Sequence, residues 1–245
     1  MAITLRPATE ADAPSVARIG TAAFADTLSP LIFPRSQLAT ATITEADLVA
    51  DELIWRESMF IKRLREDKPC VVAVEVDEAT GEEKEVMGFA HWQKPGPEQP
   101  EVLGVEVRPA TFDRGMFLKV VEAFTAKDKE ALGEKGHEDY WCEYLPLWEE
   151  IWDGNGLRAW TDWDEKKTDA ILISVDPKHH RKGLGKKLVN WGLEFAKKEG
   201  RDAYLTATEA GKPLYELCGF EALETYDCYG QPLTSMVWRL EKNKQ

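Results

Sequence analysis

The sequence lacks the features that mark membrane-spanning and secreted proteins. No apolar run approaches the roughly 20 residues that a membrane-spanning helix needs. The first residues lack the basic start and apolar core of a secretory signal peptide. The four cysteines have no C-x-x-C spacing, and we expect reduced thiols rather than disulfides or a zinc site. These absences predict a protein of a reducing compartment, the cytoplasm.

Positive charge is also scarce, with 31 Lys and Arg against 44 Asp and Glu and a formal net charge of −13. This balance argues against partners such as nucleic acid or an anionic membrane surface. A chain of 245 residues with 43% apolar residues can form one domain that carries an insertion. Against the acidic background, the basic residues between positions 178 and 187 form a local cluster.

That cluster lies between a predicted strand and a predicted helix. Residues 171–175 are apolar and β-branched, which is typical of a buried strand, and Pro177 ends them. Apolar residues then recur at helical spacing, and Gly200 follows where a helix C-terminal cap is expected. The residues on this apolar face are Leu184, Leu188, Trp191 and Phe195.

The turn before this helix has the chemistry of an anion site. A helix N-terminus presents unpaired N–H groups, and glycines let a phosphate approach the backbone closely. The spacing does not fit a Walker A loop, and Leu188 stands where a dinucleotide-binding loop needs a small residue. We therefore expect another phosphate or pyrophosphate ligand.

The remaining elements follow from hydrophobic periodicity and from turn residues. A first helix is predicted after the cap Thr9, with an apolar face formed by Val16, Ile19, Ala23 and Phe24. A second is predicted over 45–65, with an apolar face formed by Leu48, Ile54, Trp55, Met59 and Leu64. A short third helix is predicted from Pro213 to Cys218. Strands are predicted over 3–8, 70–76, 85–92, 203–207, 220–226 and 233–240, and residues 26–44 are predicted to be a loop. Gly88 inside a strand indicates close approach of another backbone. The tail 241–245 is predicted to be disordered.

Residues 94–168 interrupt this pattern and are predicted to be a mainly helical insertion. Helices are expected over 112–132 and 140–152. The segment is acidic and holds five of the nine tryptophans. The aromatic residues are predicted to pack the insertion onto the domain, or to form a lid over a binding pocket that suits a cationic substrate.

Two motifs resemble the GCN5-related N-acetyltransferase (GNAT) family. The acetyl-CoA signature [QR]-x-x-G-x-[GA] is similar to His180-Arg181-Lys182-Gly183-Leu184-Gly185, with His180 in place of Gln or Arg. The family's L-Y-x-x-x-G-F motif matches Leu214 to Phe220, and the opening of the chain is also typical of the family. The resemblance implies an α/β fold whose mixed, largely antiparallel sheet is flanked by helices, with two central strands that splay apart at acetyl-CoA.

The resemblance also implies roles for residues. Tyr215 would be the general acid that protonates the departing thiolate, and Asp169 is a candidate general base. Alternative bases are Glu106, His91 and Glu209, although His91 is more typical of a structural residue, and His137 and His179 are predicted to be exposed. The implied acetyl-CoA-binding residues are Ile173, Ser174, Val175, His180, Arg181, Lys182, Gly183, Leu184, Gly185, Lys186, Lys187 and Thr208, the last in place of the usual Asn. No residue cluster has metal-ligand spacing.

The insertion resembles those of fungal, small-molecule members of the family, which implies acetylation of a small amine. One alternative is a protein acetyltransferase that acts on a lysine or an N-terminus, since an acidic surface suits a basic peptide. A second is an acyl-CoA-binding module without turnover. The sequence predicts no oligomeric state.

Overall fold

The computed structural model describes residues 2–39, 42–95, 105–133, 140–142 and 172–240. The strands are β1 (Ala2–Pro7), β2 (Cys70–Val76), β3 (Glu83–His91), β4 (Trp141–Cys142), β5 (Ile173–Val175), β6 (Ala203–Thr208), β7 (Glu221–Cys228) and β8 (Gln231–Trp238). The helices are α1 (Ala13–Phe24), α2 (Ser29–Ile32), α3 (Glu45–Arg65), α4 (Arg114–Leu132), α5 (Leu184–Glu199) and α6 (Lys212–Leu217).

The strands form two four-stranded sheets rather than one. The first sheet has the order β1-β2-β3-β5, and all its neighbours are antiparallel. The second has the order β4-β6-β8-β7, in which only β4 and β6 are parallel. The predicted mixed, largely antiparallel architecture flanked by helices is confirmed.

The N-terminal helices form as their capping residues predict. Thr9 and Asp12 make a capping box ahead of α1, and Thr44 makes another with Asp47 ahead of α3. The apolar faces are narrower than predicted, since Ala23 and Ile54 are exposed. The predicted loop 26–44 contains α2 and a 3₁₀ turn at Arg35–Ala39, which are too short for periodicity to reveal.

The core between the two sheets forms around α5. Leu184, Leu188 and Leu193 are buried against residues of both sheets. A Cβ on Gly192 would lie 1.8 Å from Cε2 of Trp92, so only glycine lets the indole ring pack on the helix. Phe195, predicted on the buried face, is instead 36% exposed at its edge.

The insertion contributes α4 and β4 to the described structure. The helix expected near 112–132 is confirmed as α4, which packs on β7 and β8. The helix expected over 140–152 is wrong at its start, because Trp141 and Cys142 pair in parallel with Ala203 and Tyr204. Backbone pairing with the edge of β6 thus outweighs the local helical preference of these residues. Residues 143–168, four of the five tryptophans of the insertion and the tail 241–245 lie outside the described residues.

Candidate active site

Strand β5 presents backbone groups at an edge that no described strand covers. Ser174 pairs with Phe89 of β3, while Leu172 and Asp176 bond to His91 and Met87 on either side of that pair. Because antiparallel backbone groups alternate in direction, those of Ile173 and Val175 point away from β3. Of the three residues predicted to bind the cofactor here, Ile173 therefore offers its backbone donor and acceptor and Val175 offers its N–H, since the Val175 carbonyl oxygen meets His180. The backbone groups of Ser174 are directed to β3 instead.

Gly88 makes this arrangement possible by bringing β3 close to β5. A Cβ at position 88 would lie 2.9 Å from the carbonyl oxygen of Ser174 and 3.2 Å from Cδ1 of Leu188. The predicted close backbone approach is confirmed, and it fixes β5 between β3 and α5.

An ion pair between a buried carboxylate and a half-exposed arginine holds the turn that follows β5. Asp176 is 4% exposed and forms an ion pair with Arg18 of α1. It also accepts a 3.1 Å hydrogen bond from the N–H of Lys178, which caps the 3₁₀ turn at Pro177–His179. Burial works to raise the pKa of Asp176, but the Arg18 and Lys178 bonds outweigh it and leave this pKa below its usual value. The turn is thereby tied to α1.

His179 is buried, and the prediction that it is exposed is wrong. Its Nε2 lies 2.8 Å from Oε1 of Glu85, and its Nδ1 lies 2.9 Å from Nζ of Lys182. Glu85 also accepts a 2.7 Å hydrogen bond from Lys178. A partner 94 residues away in the sequence leaves no local pattern, which explains the error. The amine of Lys182 is thus held at His179.

Backbone N–H groups in the loop and in the first turn of α5 lack hydrogen-bond acceptors among the described residues. Gly183 has φ of 76°, in the left-handed region that favours glycine, and Arg181 before it has φ of 60°. Within the described residues, the N–H groups of 183–186 have no acceptor, as expected at a helix N-terminus. Arg181, Lys186 and Lys187 are exposed and make no ion pair within the described part of the chain.

His180 closes the loop rather than standing apart from it. Its Nε2 lies 3.0 Å from the carbonyl oxygen of Val175. Because a carbonyl oxygen only accepts, Nε2 is the donor in this contact, and Nδ1 of the neutral ring can only accept a hydrogen bond. The expected donation from His180 to a phosphate therefore requires the doubly protonated ring. The ring therefore joins the free edge of β5 to the donor-rich turn.

The second motif meets the first at Gly185. A Cβ at this position would lie 2.7 Å from Cδ2 of Leu214 in α6, so the glycine lets the two helix starts approach. Tyr215 is 5% exposed and packs edge-on against Phe220, with ring centroids 5.8 Å apart. The structure thus places the candidate acid against the predicted phosphate loop.

Thr208 lies beside Tyr215 at the end of β6. The Thr208 hydroxyl accepts a 3.2 Å hydrogen bond from the N–H of Gly211, which starts α6. Its Oγ1 and Cε2 of Tyr215 are both 3.3 Å from the Cβ position of Gly211. The hydroxyl can still donate one hydrogen bond, which is the contact predicted for this position.

The candidate bases have different environments. Asp169 lies outside the described residues. His91 is buried between the rings of Phe60 and Phe89, and burial, together with Arg63 and Lys68, lowers its pKa well below the usual value. Glu209 is exposed.

Glu106, the remaining candidate base, lies 3.0 Å from Arg108 and 3.8 Å from Lys62. Both of these partners are cationic side chains. Sequence reasoning missed Asp176 and Glu85, which organise the loop, although the Val-Asp-Pro sequence at the end of the predicted strand could have indicated Asp176. In the described part of the chain, no helix is both long and apolar enough to cross a bilayer.

The chain is similar to known acetyltransferases. Residues 134–220 match the model of the acetyltransferase (GNAT) family, and both motifs lie within this segment. A Corynebacterium glutamicum structure described as histone acetyltransferase HPA2 and related acetyltransferase is 18% identical, with a TM-score of 0.54 over 98% of this chain and 97% of that chain. The structure of YncA from Salmonella typhimurium with its cofactor acetyl-CoA is 16% identical, with a TM-score of 0.47 over 98% of this chain and 95% of that chain. No curated protein matches. The first likeness shows a shared fold.

Proposed function

We propose that this chain, which carries an acetyltransferase domain of the GNAT family, moves an acetyl group directly from acetyl-CoA to an amine of a small molecule. The observation that carries the proposal is the contact between Gly185 and Leu214, which sets a donor-rich helix start beside Tyr215. One acetyl-CoA molecule would place its diphosphate at the helix start and its thioester sulfur near Tyr215. These two parts of the site therefore have to be neighbours.

The residues of the loop fit a diphosphate. Free N–H groups at 183–186 can donate to phosphate oxygens, and the positive end of the helix dipole favours the negative charge. These donors lie near three cations that form no ion pair with any residue the structure describes, namely Arg181, Lys186 and Lys187. In a chain with net charge −13, this local excess of positive charge has an anionic ligand as its simplest explanation.

The free edge of β5 fits the pantetheine arm and the thioester. Acetyl-CoA supplies the activated acetyl group as a thioester. The N–H of Val175, directed away from β3, can donate to the thioester carbonyl oxygen and stabilise the charge that develops there. The backbone of Ile173 can bond to the amide groups of the pantetheine arm in the manner of an added strand.

Tyr215 completes the site as the proton donor to the departing thiolate. Phenols titrate near pH 10 and thiols near pH 8.5, so a phenol beside the sulfur can donate its proton as charge develops. The amine must attack in its neutral form, and a base or bound water removes its proton. Asp169 remains a proposed base from its place before β5.

Acetyl-CoA binding is the first test. Millimolar acetyl-CoA should raise the melting temperature by several degrees, because a ligand that binds only the folded state stabilises it. Absence of any shift would contradict a cofactor site. The double variant Lys186→Gln, Lys187→Gln should reduce the shift that acetyl-CoA causes. Its melting temperature without acetyl-CoA should stay close to that of the wild type.

Release of CoA thiol in the presence of different acceptors is the second test. Amines, aminosugars, polyamines and basic peptides are compared at equal concentration, each with and without enzyme. Turnover on small amines supports the proposal. Turnover on peptides alone would favour a protein acetyltransferase, and tight acetyl-CoA binding without turnover on any acceptor would favour an acyl-CoA-binding module.

A further inference from the structure

One buried histidine joins the loop before α5 to the first sheet. His179 ends the 3₁₀ turn that follows β5 and is 6% exposed. Its Nε2 lies 2.8 Å from Oε1 of Glu85 on β3, and its Nδ1 lies 2.9 Å from Nζ of Lys182 in the loop. The imidazole therefore bridges a strand and the residue that comes directly before Gly183.

The chemistry of the two partners fixes the protonation state in which His179 makes both contacts. The hydrogen bond from Lys178 and then that from His179 hold the pKa of Glu85 below its usual value, against the effect of burial. This carboxylate is charged and can only accept, so Nε2 of the histidine is the donor. Nδ1 of the neutral ring is then an acceptor, and it receives a hydrogen bond from the ammonium group of Lys182. A second proton on the ring would occupy Nδ1 and break that bond.

The other charged groups around this histidine are paired with one another. Lys178 donates a 2.7 Å hydrogen bond to Glu85, and its Nζ lies 3.7 Å from Asp176. Arg18 of α1, the helix that packs against the turn, forms its ion pair with Asp176. Within the described ranges, Lys182 is thus the hydrogen-bond partner of Nδ1.

The residues on both sides of Arg181 are held through their side chains. Arg181 has φ of 60°, a left-handed conformation that a residue with a Cβ rarely adopts unless neighbouring contacts hold it. His180 before it contacts the carbonyl oxygen of Val175 at 3.0 Å, and Lys182 after it bonds to His179. The chain turns here into the first turn of α5, whose N–H groups have no acceptor among the described residues. The conformation at residue 181 therefore sets the direction of these donors.

We propose that His179 is a positioning residue for acetyl-CoA. Held by Glu85, it binds the ammonium group of Lys182, and this bond keeps the loop in the conformation that directs the N–H groups of 183–186 to the diphosphate. The histidine acts through the loop and touches no reacting atom. Its neutral form favours binding, so affinity should fall as the pH falls through the range in which histidine gains a proton. This role rests on the proposed function, because it concerns the same cofactor site.

The experiment measures the Kd of acetyl-CoA by calorimetric titration at about pH 8 and about pH 5.5. Glutamine offers one donor and one acceptor but does not titrate in this range, so His179→Gln should bind within about threefold of the wild type at the higher pH. At the lower pH, the ratio of the wild-type Kd to the Kd of His179→Gln should rise by about fivefold or more. Protonation of His180 and of the ligand's phosphates occurs with both proteins and cancels in this ratio.

A double-mutant cycle tests whether His179 acts through Lys182. His179→Leu and Lys182→Met should each raise the Kd at the higher pH by about tenfold, and the double variant should bind no more weakly than Lys182→Met, because the bond is already lost. Lys198→Met, which removes an equal charge from the exposed last turn of α5, should bind like the wild type. In turnover, His179→Leu should raise KM for acetyl-CoA and leave kcat within about twofold.

The outcomes separate this role of His179 from the proposed function. Acetyl-CoA binding with the same pH dependence in the wild type and in His179→Gln, or with additive losses in the cycle, would overturn the positioning role and leave the transferase standing. Absence of acetyl-CoA binding by the wild type at both pH values would overturn both proposals. If His179→Leu fails to fold, as thermal unfolding would show, the pH dependence of the Kd ratio for His179→Gln decides alone.

Discussion

Cδ2 of Leu214 lies only 2.7 Å from the position that a Cβ on residue 185 would take, which is closer than a side-chain carbon can pack. This contact joins the first turn of α5, which follows the proposed phosphate loop, to α6, which carries Tyr215. The two motifs are about 30 residues apart in sequence, and the missing side chain at Gly185 lets them act at one place.

Gly185→Ala should therefore lower kcat/KM for acetyl-CoA substantially while changing the free energy of unfolding little. Alanine favours the helix by up to about 1 kcal/mol over glycine, which offsets much of the strain from displacing Leu214. The displaced α6 start should nevertheless lower kcat/KM for acetyl-CoA by about tenfold, equivalent to about 1.4 kcal/mol. Steady-state kinetics and thermal unfolding measure the two effects.

The control for this prediction is a double variant. Leu214→Ala added to Gly185→Ala removes the clashing methyl group and should recover part of the lost kcat/KM. Purely additive losses would show that the contact does not couple the two motifs.

Gly192→Ala tests the packing of Trp92 on α5. The added methyl would overlap the buried indole ring of Trp92, a residue that directly follows β3 and donates its backbone N–H to the carbonyl oxygen of Pro69. We expect a loss of about 3 kcal/mol in the free energy of unfolding, measured by urea denaturation. Glu194→Ala on the exposed face of the same helix should change it by less than about 0.5 kcal/mol. Equal effects would mean that Trp92 packs elsewhere.

Asp176→Asn tests the ion pair between Arg18 and Asp176 at the start of the proposed phosphate loop. The folded-state pKa of Asp176 is lowered, so its contribution to stability is present above about pH 4 and is lost as the pH falls below that value. The variant should be less stable than the wild type at pH 7 by about 1 kcal/mol, with a smaller difference at pH 3. Glu82→Gln, on the exposed turn before β3, should show neither effect.

Asp128 should give the opposite pH dependence. Its folded-state pKa is raised to about 7, so its carboxyl contributes most below pH 4, and stability is lost as the pH rises through 7. Asp128→Asn, which mimics the neutral acid, should be more stable than the wild type at pH 8 by about 3 kcal/mol, and similar at pH 4. Unfolding by urea at both pH values measures this, and a variant that is less stable at pH 8 would show that the charged carboxylate has a partner.

Local sequence patterns correctly predicted those parts of the candidate site that are formed by residues close together in the sequence. The strand, the Gly183 turn and the α5 helix follow from residues a few positions apart, and so does the tyrosine helix. The pairing of His179 with Glu85 and of Arg18 with Asp176 could not be predicted, because each joins residues distant in the sequence. Asp128 gave no signal either, since one acidic residue among many in the insertion acquires meaning only when folding buries it against Tyr204.

The most direct test is the rate of CoA release by the wild type and by Tyr215→Phe, measured with saturating acetyl-CoA and the best small amine from the panel. Loss of the phenolic proton should lower kcat by about 100-fold or more, while the shift in melting temperature with acetyl-CoA stays unchanged. An unchanged kcat in Tyr215→Phe would contradict the assignment of Tyr215 as the acid. Absence of amine-dependent CoA release in the wild type would contradict the proposed transfer itself.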